Sequence, residues 1–228
     1  MHVIVPVKSF ARAKSRLAPI LDNAQRAALA YALARDVLAE LARVRGLKRV
    51  VVASSEPEVE ELVRRHGYEL LPDVPGASLN EVLTRALARM TRSVGEAVAV
   101  VCADLPLFNA EEFERMSAMH AAAQVPALTI APDHLGQGTN VRISPTSEIL
   151  PCLYGPGSAV AHMRAAAARG LAVQVFNSRS FGLDIDRPES LLAIARAVPE
   201  GLELDSSAAL LASWAGALGG ESYTCLTQ

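Results

Sequence analysis

The stretch Ala97–Ala103 is apolar without interruption and ends on Asp104. A strand with no polar alternation needs cover on both faces, which is the situation of a central strand in a parallel sheet. Similar short runs recur along the chain. Val3–Val7, Arg49–Ala53, Tyr68–Leu71, Ala127–Ala131, Asn140–Ser144 and Leu171–Phe176 all read as strands. Between them lie helical patterns. Leu29, Leu33, Val37, Leu41 and Val44 follow Asp22-Asn23 as one stripe, with Gly46 as its stop. Ser55-Glu56-Pro57-Glu58 and Ser78-Leu79-Asn80-Glu81 each have capping-box spacing, the first opening a helix that ends near Gly67. Further helices are expected over Ala110–Ala123, Ser158–Arg169, Glu189–Ala197 and Ser207–Ala217, and Gly219–Gln228 reads as a weakly ordered tail. Strands alternating with helices predict an α/β protein.

Composition narrows the function. The chain has 228 residues, and 22 Lys+Arg against 24 Asp+Glu leave a net charge of −2 with 51% hydrophobic residues. That balance argues against a nucleic-acid partner, which calls for a basic face. A length of this order suits one α/β domain, and no repeat or linker divides it. No apolar stretch approaches the ~20 residues of a membrane span, and no basic leader precedes the first strand. Cys102, Cys152 and Cys225 form no C-x-x-C pair, so neither a disulfide framework nor a zinc site is expected. These features together predict a cytoplasmic protein with reduced thiols.

In open α/β sheets ligands bind beyond the carboxyl ends of the strands. The residues there are Lys8, Asp104, the Gly136–Asn140 loop, Asp184 and Asp186. Paired carboxylates with a lysine suit a magnesium–phosphate site, since Mg²⁺ takes one or two carboxylates and completes its shell with water and phosphate oxygens. Asp104 reads as a ligand or as a cap before Pro106, and Asp186 as a ligand or as the cap of a helix starting near Pro188. If Asp184-Ile185-Asp186 is extended, both carboxylates face one side. Lys8, Arg12, Lys14 and Arg16 place four cations after the first strand, as a solvated turn or as a triphosphate cradle. The chain holds neither a P-loop nor a G-x-G-x-x-G. Gly136-Gln137-Gly138-Thr139-Asn140 and Gly155-Pro156-Gly157-Ser158 are glycine-rich turns, the second opening a helix whose N–H groups would attract an anion. Ser158 reads equally as an N-cap, His162 shares its face one turn on, and Cys102 reads as core.

In this order, V-P-V-K (Val5–Lys8), A-K-S-R-L (Ala13–Leu17), G-A-S-L-N (Gly76–Asn80), A-D-L-P-L (Ala103–Leu107), G-x-G-T-N (Gly136–Asn140), G-P-G-S with His162, and G-L-D-I-D-x-P (Gly182–Pro188) resemble the 2-phospho-L-lactate guanylyltransferase family over about residues 1–200. The A-D-L-P and D-I-D-x-P pair is shared with other nucleotidyltransferases, and the remaining elements narrow it. The resemblance implies a single-domain, Rossmann-like, three-layer nucleotidyltransferase fold of GT-A-like type with a mostly parallel mixed sheet over 1–205, and a C-terminal helix and tail over 206–228. It implies transfer of GMP from GTP to 2-phospho-L-lactate, phosphoenolpyruvate or 3-phospho-D-glycerate in coenzyme F-420 biosynthesis, with release of pyrophosphate.

Under that resemblance Asp104, Asp184 and Asp186 would hold Mg²⁺, and Lys8, Lys14 and Arg16 would face the triphosphate. Pro6, Ser78, Leu79 and Asn80 would line the nucleotide pocket. Thr139, Asn140, Gly155, Gly157 and Ser158 would hold the acceptor. A downstream transferase would take the product, and the apolar Ala208–Leu218 segment offers a homodimer surface. Two positions depart from the family pattern: Cys102 stands where proline is common, and Val141-Arg142 replaces a small apolar pair. The rival readings are another nucleotidyltransferase of the same fold, of molybdopterin or sugar-acid type, and a non-catalytic nucleotide-binding protein.

Overall fold

The computed structural model describes residues 1–74, 76–90, 96–191, 207, 210, 211 and 214. Seven strands form one sheet: β1 (His2–Pro6), β2 (Arg49–Ala53), β3 (Glu69–Leu71), β4 (Ala97–Val101), β5 (Ala127–Pro132), β6 (Thr139–Pro145) and β7 (Ala172–Val175). Their spatial order is β3-β2-β1-β4-β6-β5-β7. All neighbours run parallel except β6, which is antiparallel to both β4 and β5. The apolar Ala97–Val101 run does lie at the centre, the fourth strand of seven. The chain winds outward from β1 through β2 to β3, then returns to the other side of β1 as β4. The switch point of the sheet is therefore the gap between the carboxyl ends of β1 and β4.

The helices bounded within the described residues cover the two faces: α1 (Asn23–Arg43), α2 (Pro57–His66), α3 (Leu79–Ala88), α4 (Ala110–Ala121), α5 (Ser158–Ala167) and α6 (Arg179–Gly182). Strand alternation sorts the core. Val3, Val5, Val50, Val52, Ala99 and Val101 pack against Val37, Leu38, Val59, Leu62 and Phe113 from α1, α2 and α4. Ile4, Val51, Val98 and Val100 pack on the opposite face against Val82, Leu83 and Leu87 of α3. Leu128 and Ile130 meet Ala159 and Ala166 of α5 on that side as well. Three layers result. At about 25 cal/mol per Å² of apolar area removed from water, such two-sided burial is the main favourable term in folding.

Local chemistry sets the helix starts. Asp22 opens α1 with a full capping box, its carboxylate accepting from Gln25 N at 2.8 Å while Gln25 Oε1 accepts from Asp22 N at 2.9 Å. Ser78 and Glu81 make the same reciprocal pair at α3. The capping box expected at Ser55 does not form. Pro57 occupies the first turn of α2 and Glu56 is the N-cap, without a side-chain bond. Ser55 Oγ instead donates to Asp73 O. At the C-terminal end of α2, Gly67 adopts φ +66°, a left-handed conformation that glycine takes without a Cβ penalty.

Two 3-10 turns, Phe10–Arg12 and Ser15–Leu17, shape the basic segment after β1, and periodicity gave no sign of them. The helix expected over Glu189–Ala197 is seen at Glu189, Ser190 and Leu191; its remainder, most of Ser207–Ala217 and the Gly219–Gln228 tail lie outside the described residues. No helix among the described residues is long and apolar enough to cross a membrane.

Candidate active site

Asp104 follows β4, and Lys14 follows β1 across the switch point. Lys14 Nζ donates to Asp104 Oδ2 at 2.7 Å and to Asp186 Oδ1 at 3.1 Å. Burial pushes the Lys14 ammonium down, but the two carboxylates outweigh it and hold its pKa above the usual lysine value. Lys14 also has φ +53°, the only positive φ outside glycine among the described residues. That conformation disfavours a side chain carrying a Cβ, so the tertiary contacts around Lys14 hold it there.

Asp184 and Asp186 arrive from the chain after α6. The buried Ile185 between them anchors in a cluster with Leu17, Leu29, Leu33 and Leu191. With Ile185 turned inward, its neighbours turn outward, as the extended D-x-D pattern predicts. Oxygen atoms of Asp104, Asp184 and Asp186 lie within 4.8 Å of one another. Burial, then the like charges of Asp104 and Asp186, raise the Asp184 pKa to about 6. Arg16 adds a longer, exposed contact to Asp186 at 3.3 Å. The Asp186 carboxylate is thus engaged by cations.

The antiparallel course of β6 brings the glycine-rich loop to the same place. Its first residues lie beside the end of β4, and Cys102 N donates to Asn140 O at 2.9 Å. Asp133 ties the loop down. Its carboxylate accepts from Gln137 N at 2.7 Å, Gly138 N at 2.8 Å and Leu135 N at 3.1 Å. A Cβ on Gly138 would stand 2.8 Å from Asp133 Oδ2, so any larger residue would displace the carboxylate from the amides it holds. Gln137 O accepts from Ala159 N and links the loop to the first turn of α5. Gly157, at φ +73°, is the N-cap of α5, which places Ser158 inside the helix rather than at its cap.

His162 couples these parts. Its Nε2 accepts from Leu153 N at 3.0 Å, which leaves the proton on Nδ1. That proton is donated to Thr139 Oγ1 at 3.0 Å. Burial, then the Arg142 charge, lower the His162 pKa to about 3, so the ring is neutral at physiological pH. Thr139 Oγ1 has no hydrogen-bond acceptor for its own hydrogen among the described residues and can donate it to a ligand.

The parts enclose a cleft of about 360 Å³ lined by Asp104, Asp184, Asp186, Arg16, Thr139, Asn140 and the Gly155–Ser158 turn. Leu79 also lines it. Other sequence candidates stand apart. Lys8 Nζ donates to Ala77 O at 2.7 Å and to Asp73 at 3.2 Å, away from the acid cluster. Pro6 is a buried residue ending β1, and Ser78 Oγ is taken by the cap of α3. Asn80 holds the Tyr154 backbone by two bonds, 2.8 and 3.0 Å. The Asn140 amide donates to Phe181 O at 2.7 Å.

Cys102, expected in the core, is half-buried and lines the cleft. Burial, then the Asp104 charge, push its thiol well above the usual range, so it is not a thiolate nucleophile. Sequence reasoning missed Asp133, Tyr154 and Arg187, all lining the cleft. An aspartate a few residues before paired glycines is a recognisable turn former and could have pointed to Asp133. The other two carried no such mark.

Three carboxylates thus converge at the switch point, with two glycine-rich turns opposite, on the α/β frame of a nucleotidyltransferase. Solved structures bear out the fold. A nucleotide-diphospho-sugar transferase from Desulfovibrio desulfuricans G20 superposes with a TM-score of 0.76 at 18% identity, covering 95% of each chain. A nucleotidyl transferase from Methanothermobacter gives 0.58 at 14% identity, covering 85% of this chain and 94% of its own. The family model for guanylyl transferases of the CofC-like type matches residues 1–197, and the chain belongs to that family. The phosphoenolpyruvate guanylyltransferase of Rubrobacter xylanophilus is 36% identical over 191 residues, which is 84% of this chain and 91% of that one.

Proposed function

We propose that the protein joins GMP from GTP to a small phosphorylated three-carbon acid and releases pyrophosphate, a step of coenzyme F-420 biosynthesis carried out in the cytoplasm. The observation that carries this reading is the single cleft in which Asp104, Asp184 and Asp186 face Thr139 and the Gly155–Ser158 turn. The relative from Rubrobacter points to phosphoenolpyruvate among the acceptors, with 2-phospho-L-lactate and 3-phospho-D-glycerate as the alternatives.

The cluster fits a divalent cation. Three half-buried carboxylates converge there, and Lys14 with Arg16 sets two positive charges against three negative ones, so the cluster keeps a net negative charge. The raised pKa of Asp184 registers that imbalance. Asp104, Asp184 and Asp186 would hold Mg²⁺, which when bound supplies Lewis-acid neutralisation of triphosphate oxygens.

The chain's own residues do the positioning. Lys14 and Arg16 flank the acid cluster and face the triphosphate, while Lys8, Pro6, Ser78, Leu79 and Asn80 border the nucleotide side. Thr139 donates its free hydroxyl hydrogen to the acceptor, and Asn140, Gly155, Gly157 and Ser158 shape the turn around its phosphate and carboxylate. The acceptor phosphate oxygen, already anionic, forms a bond to the α-phosphorus in line. The bond from that phosphorus to the bridging oxygen breaks, and the electron pair leaves with pyrophosphate. No protein nucleophile or general base is needed. Alignment alone supplies up to ~7–11 kcal/mol in well-oriented reactions. A downstream transferase then takes the activated product.

Pyrophosphate release measured with GTP, Mg²⁺ and each of the three acids tests the reading. We expect release with GTP and one of them. Release only with CTP, or only with a sugar acid or pterin, would assign the chain to another reaction of the same fold. Binding of GTP with no release with any acceptor would leave a nucleotide-binding protein.

A further inference from the structure

Arg142 sits at the middle of β6, between Val100 of β4 and Ile130 of β5, on the face covered by α3 and α5. It is 1% exposed, the largest of the fully buried side chains. An arginine cannot shed its proton in a protein, so its charge persists inside. A buried charge is normally paired. Among the described residues Arg142 meets no carboxylate. It donates to Pro151 O at 3.0 Å and to Cys152 Sγ at 3.5 Å, and its guanidinium carbon lies 5.7 Å from the centroid of the Tyr154 ring. Its Nε, like the Tyr154 hydroxyl, is buried without a partner.

The neighbours of Arg142 all lead to one half of the cleft. Tyr154 lines it and immediately precedes the Gly155–Ser158 turn. The Tyr154 ring stands edge-on to His162 at 4.9 Å between centroids. His162 in turn orients the Thr139 hydroxyl. Asn80 grips the Tyr154 backbone from α3. A permanent positive charge without a counter-charge thus stands directly behind the wall that carries the anion-binding turn.

We infer that Arg142 is a positioning residue that sets affinity for the acidic acceptor, by bracing Tyr154 and the Pro151–Tyr154 segment and by placing an uncompensated cation behind the Thr139 and Gly155–Ser158 anion site. This rests on the guanylyltransferase reading for the identity of the ligand, but not for the existence of an anion site. The counter-charge missing from the protein arrives with the bound acid. The same cation favours the neutral form of His162, whose Nδ1 proton fixes the direction of the Thr139 hydroxyl.

The test compares wild type with Arg142→Met, which keeps bulk and removes charge, and with Arg142→Lys, which keeps charge and removes the planar fork. Steady-state kinetics with GTP and the acceptor should show the Met variant raising KM for the acceptor by about tenfold or more, as expected for groups sharing one network. KM for GTP should stay within about twofold, with the Lys variant intermediate. Nitrogen-15 shifts of the His162 ring should show the single Nδ1–H tautomer, held by Leu153 N, in wild type and in both variants, so that a change in acceptor KM is read as an effect of Arg142 itself. An unchanged acceptor KM, or KM values for GTP and acceptor rising together, overturns the inference.

If wild type transfers GMP to none of the three acids, the reaction assignment fails by itself. Inorganic phosphate, followed through the amide signals of Thr139 and Ser158, then carries the comparison. Binding about tenfold weaker in Arg142→Met supports the inference, and equal binding overturns it. Should the Met variant fail to fold, Arg142→Gln and Arg142→Lys provide the same measurements.

Discussion

The two ends of the sheet hold charges in opposite ways. At the amino ends of β1 and β4 lies the larger hollow, about 780 Å³, bordered by Lys48, Glu96, Arg45, Glu114 and His120. There the acids are matched. Glu96 takes Lys48 at 2.7 Å and His2 at 2.9 Å, and these bonds lower its pKa to about 2. Glu114 takes Arg45 at 3.0 Å and is likewise lowered. At the carboxyl ends the cleft is half as large, and its acids crowd one another. Asp184 rises to about 6 through burial and the charges of Asp104 and Asp186. A lowered carboxylate reports a contact completed within the fold, and a raised one reports burial and like charge that the fold leaves unrelieved. Volume alone would have pointed to the amino end, where the acids are already paired.

The largest effect expected from this contrast is on turnover. Asp104→Asn should reduce pyrophosphate release by about 10³-fold, the scale of a lost contact to a charge-stabilising metal. Glu96→Gln removes an equally well-bonded acid at the other end. It should leave turnover within about twofold and lower the melting temperature slightly, as an exposed ion pair contributes little. A loss in Glu96→Gln to match that in Asp104→Asn would dissolve the distinction between the ends.

Which end gathers the carboxylates was legible in the sequence, because strand-terminal residues are local. The apolar run before Asp104 follows from cover on both faces of a central strand, the D-I-D spacing of Asp184 and Asp186 from period-two alternation, and the capping box at Ser78 from short-range hydrogen bonding. Distant pairings were not legible. That β6 runs antiparallel, and so carries Thr139 and Asn140 to the end of β4, depends on strand order, which no local pattern encodes. Lys8 shows the same limit: its position after β1 is local, but the contacts of its ammonium with Asp73 and Ala77 O lie far along the chain and no local pattern encodes them. Arg142 reads as surface by residue type, and only the packing of α3 and α5 over β6 buries it.

Two threonine–histidine pairs sharpen the contrast at smaller scale. On β5, Thr129 Oγ1 accepts from His120 Nδ1 at 2.9 Å and donates to Gln174 Oε1 at 2.8 Å, so both of its roles are filled. Thr139 accepts from His162 and has no protein acceptor among the described residues. Thr129→Val should therefore cost about 1 kcal/mol of stability by leaving two half-buried partners unpaired, with turnover unaffected. Thr139→Val should raise KM for the acceptor by about tenfold, the worth of one hydrogen bond to a charged group. Denaturant melts and steady-state kinetics on both variants check the pair.

The smallest effect is a difference in the sign of two pH dependences. Asp184 has its folded pKa raised from 3.8 to about 6, so the folded chain holds its proton where the unfolded chain has released it. Its contribution to stability is present below about pH 4 and is lost as pH rises to about 6. Glu96 has its folded pKa lowered from 4.5 to about 2, so its contribution is present above about 4.5 and lost as pH falls towards 2. Urea melts in the absence of divalent cation should show Asp184→Asn gaining about 1 kcal/mol on wild type between pH 4 and 6, a value reduced for partial solvent exposure. Glu96→Gln should diverge from wild type above pH 2 and run parallel to it above 4.5. Added Mg²⁺ favours the carboxylate form of Asp184 and should stabilise wild type above pH 6 more than Asp184→Asn. If the cation stabilises both equally, Asp184 is not among its ligands, and the contrast between the two ends does not extend to cation binding by that residue.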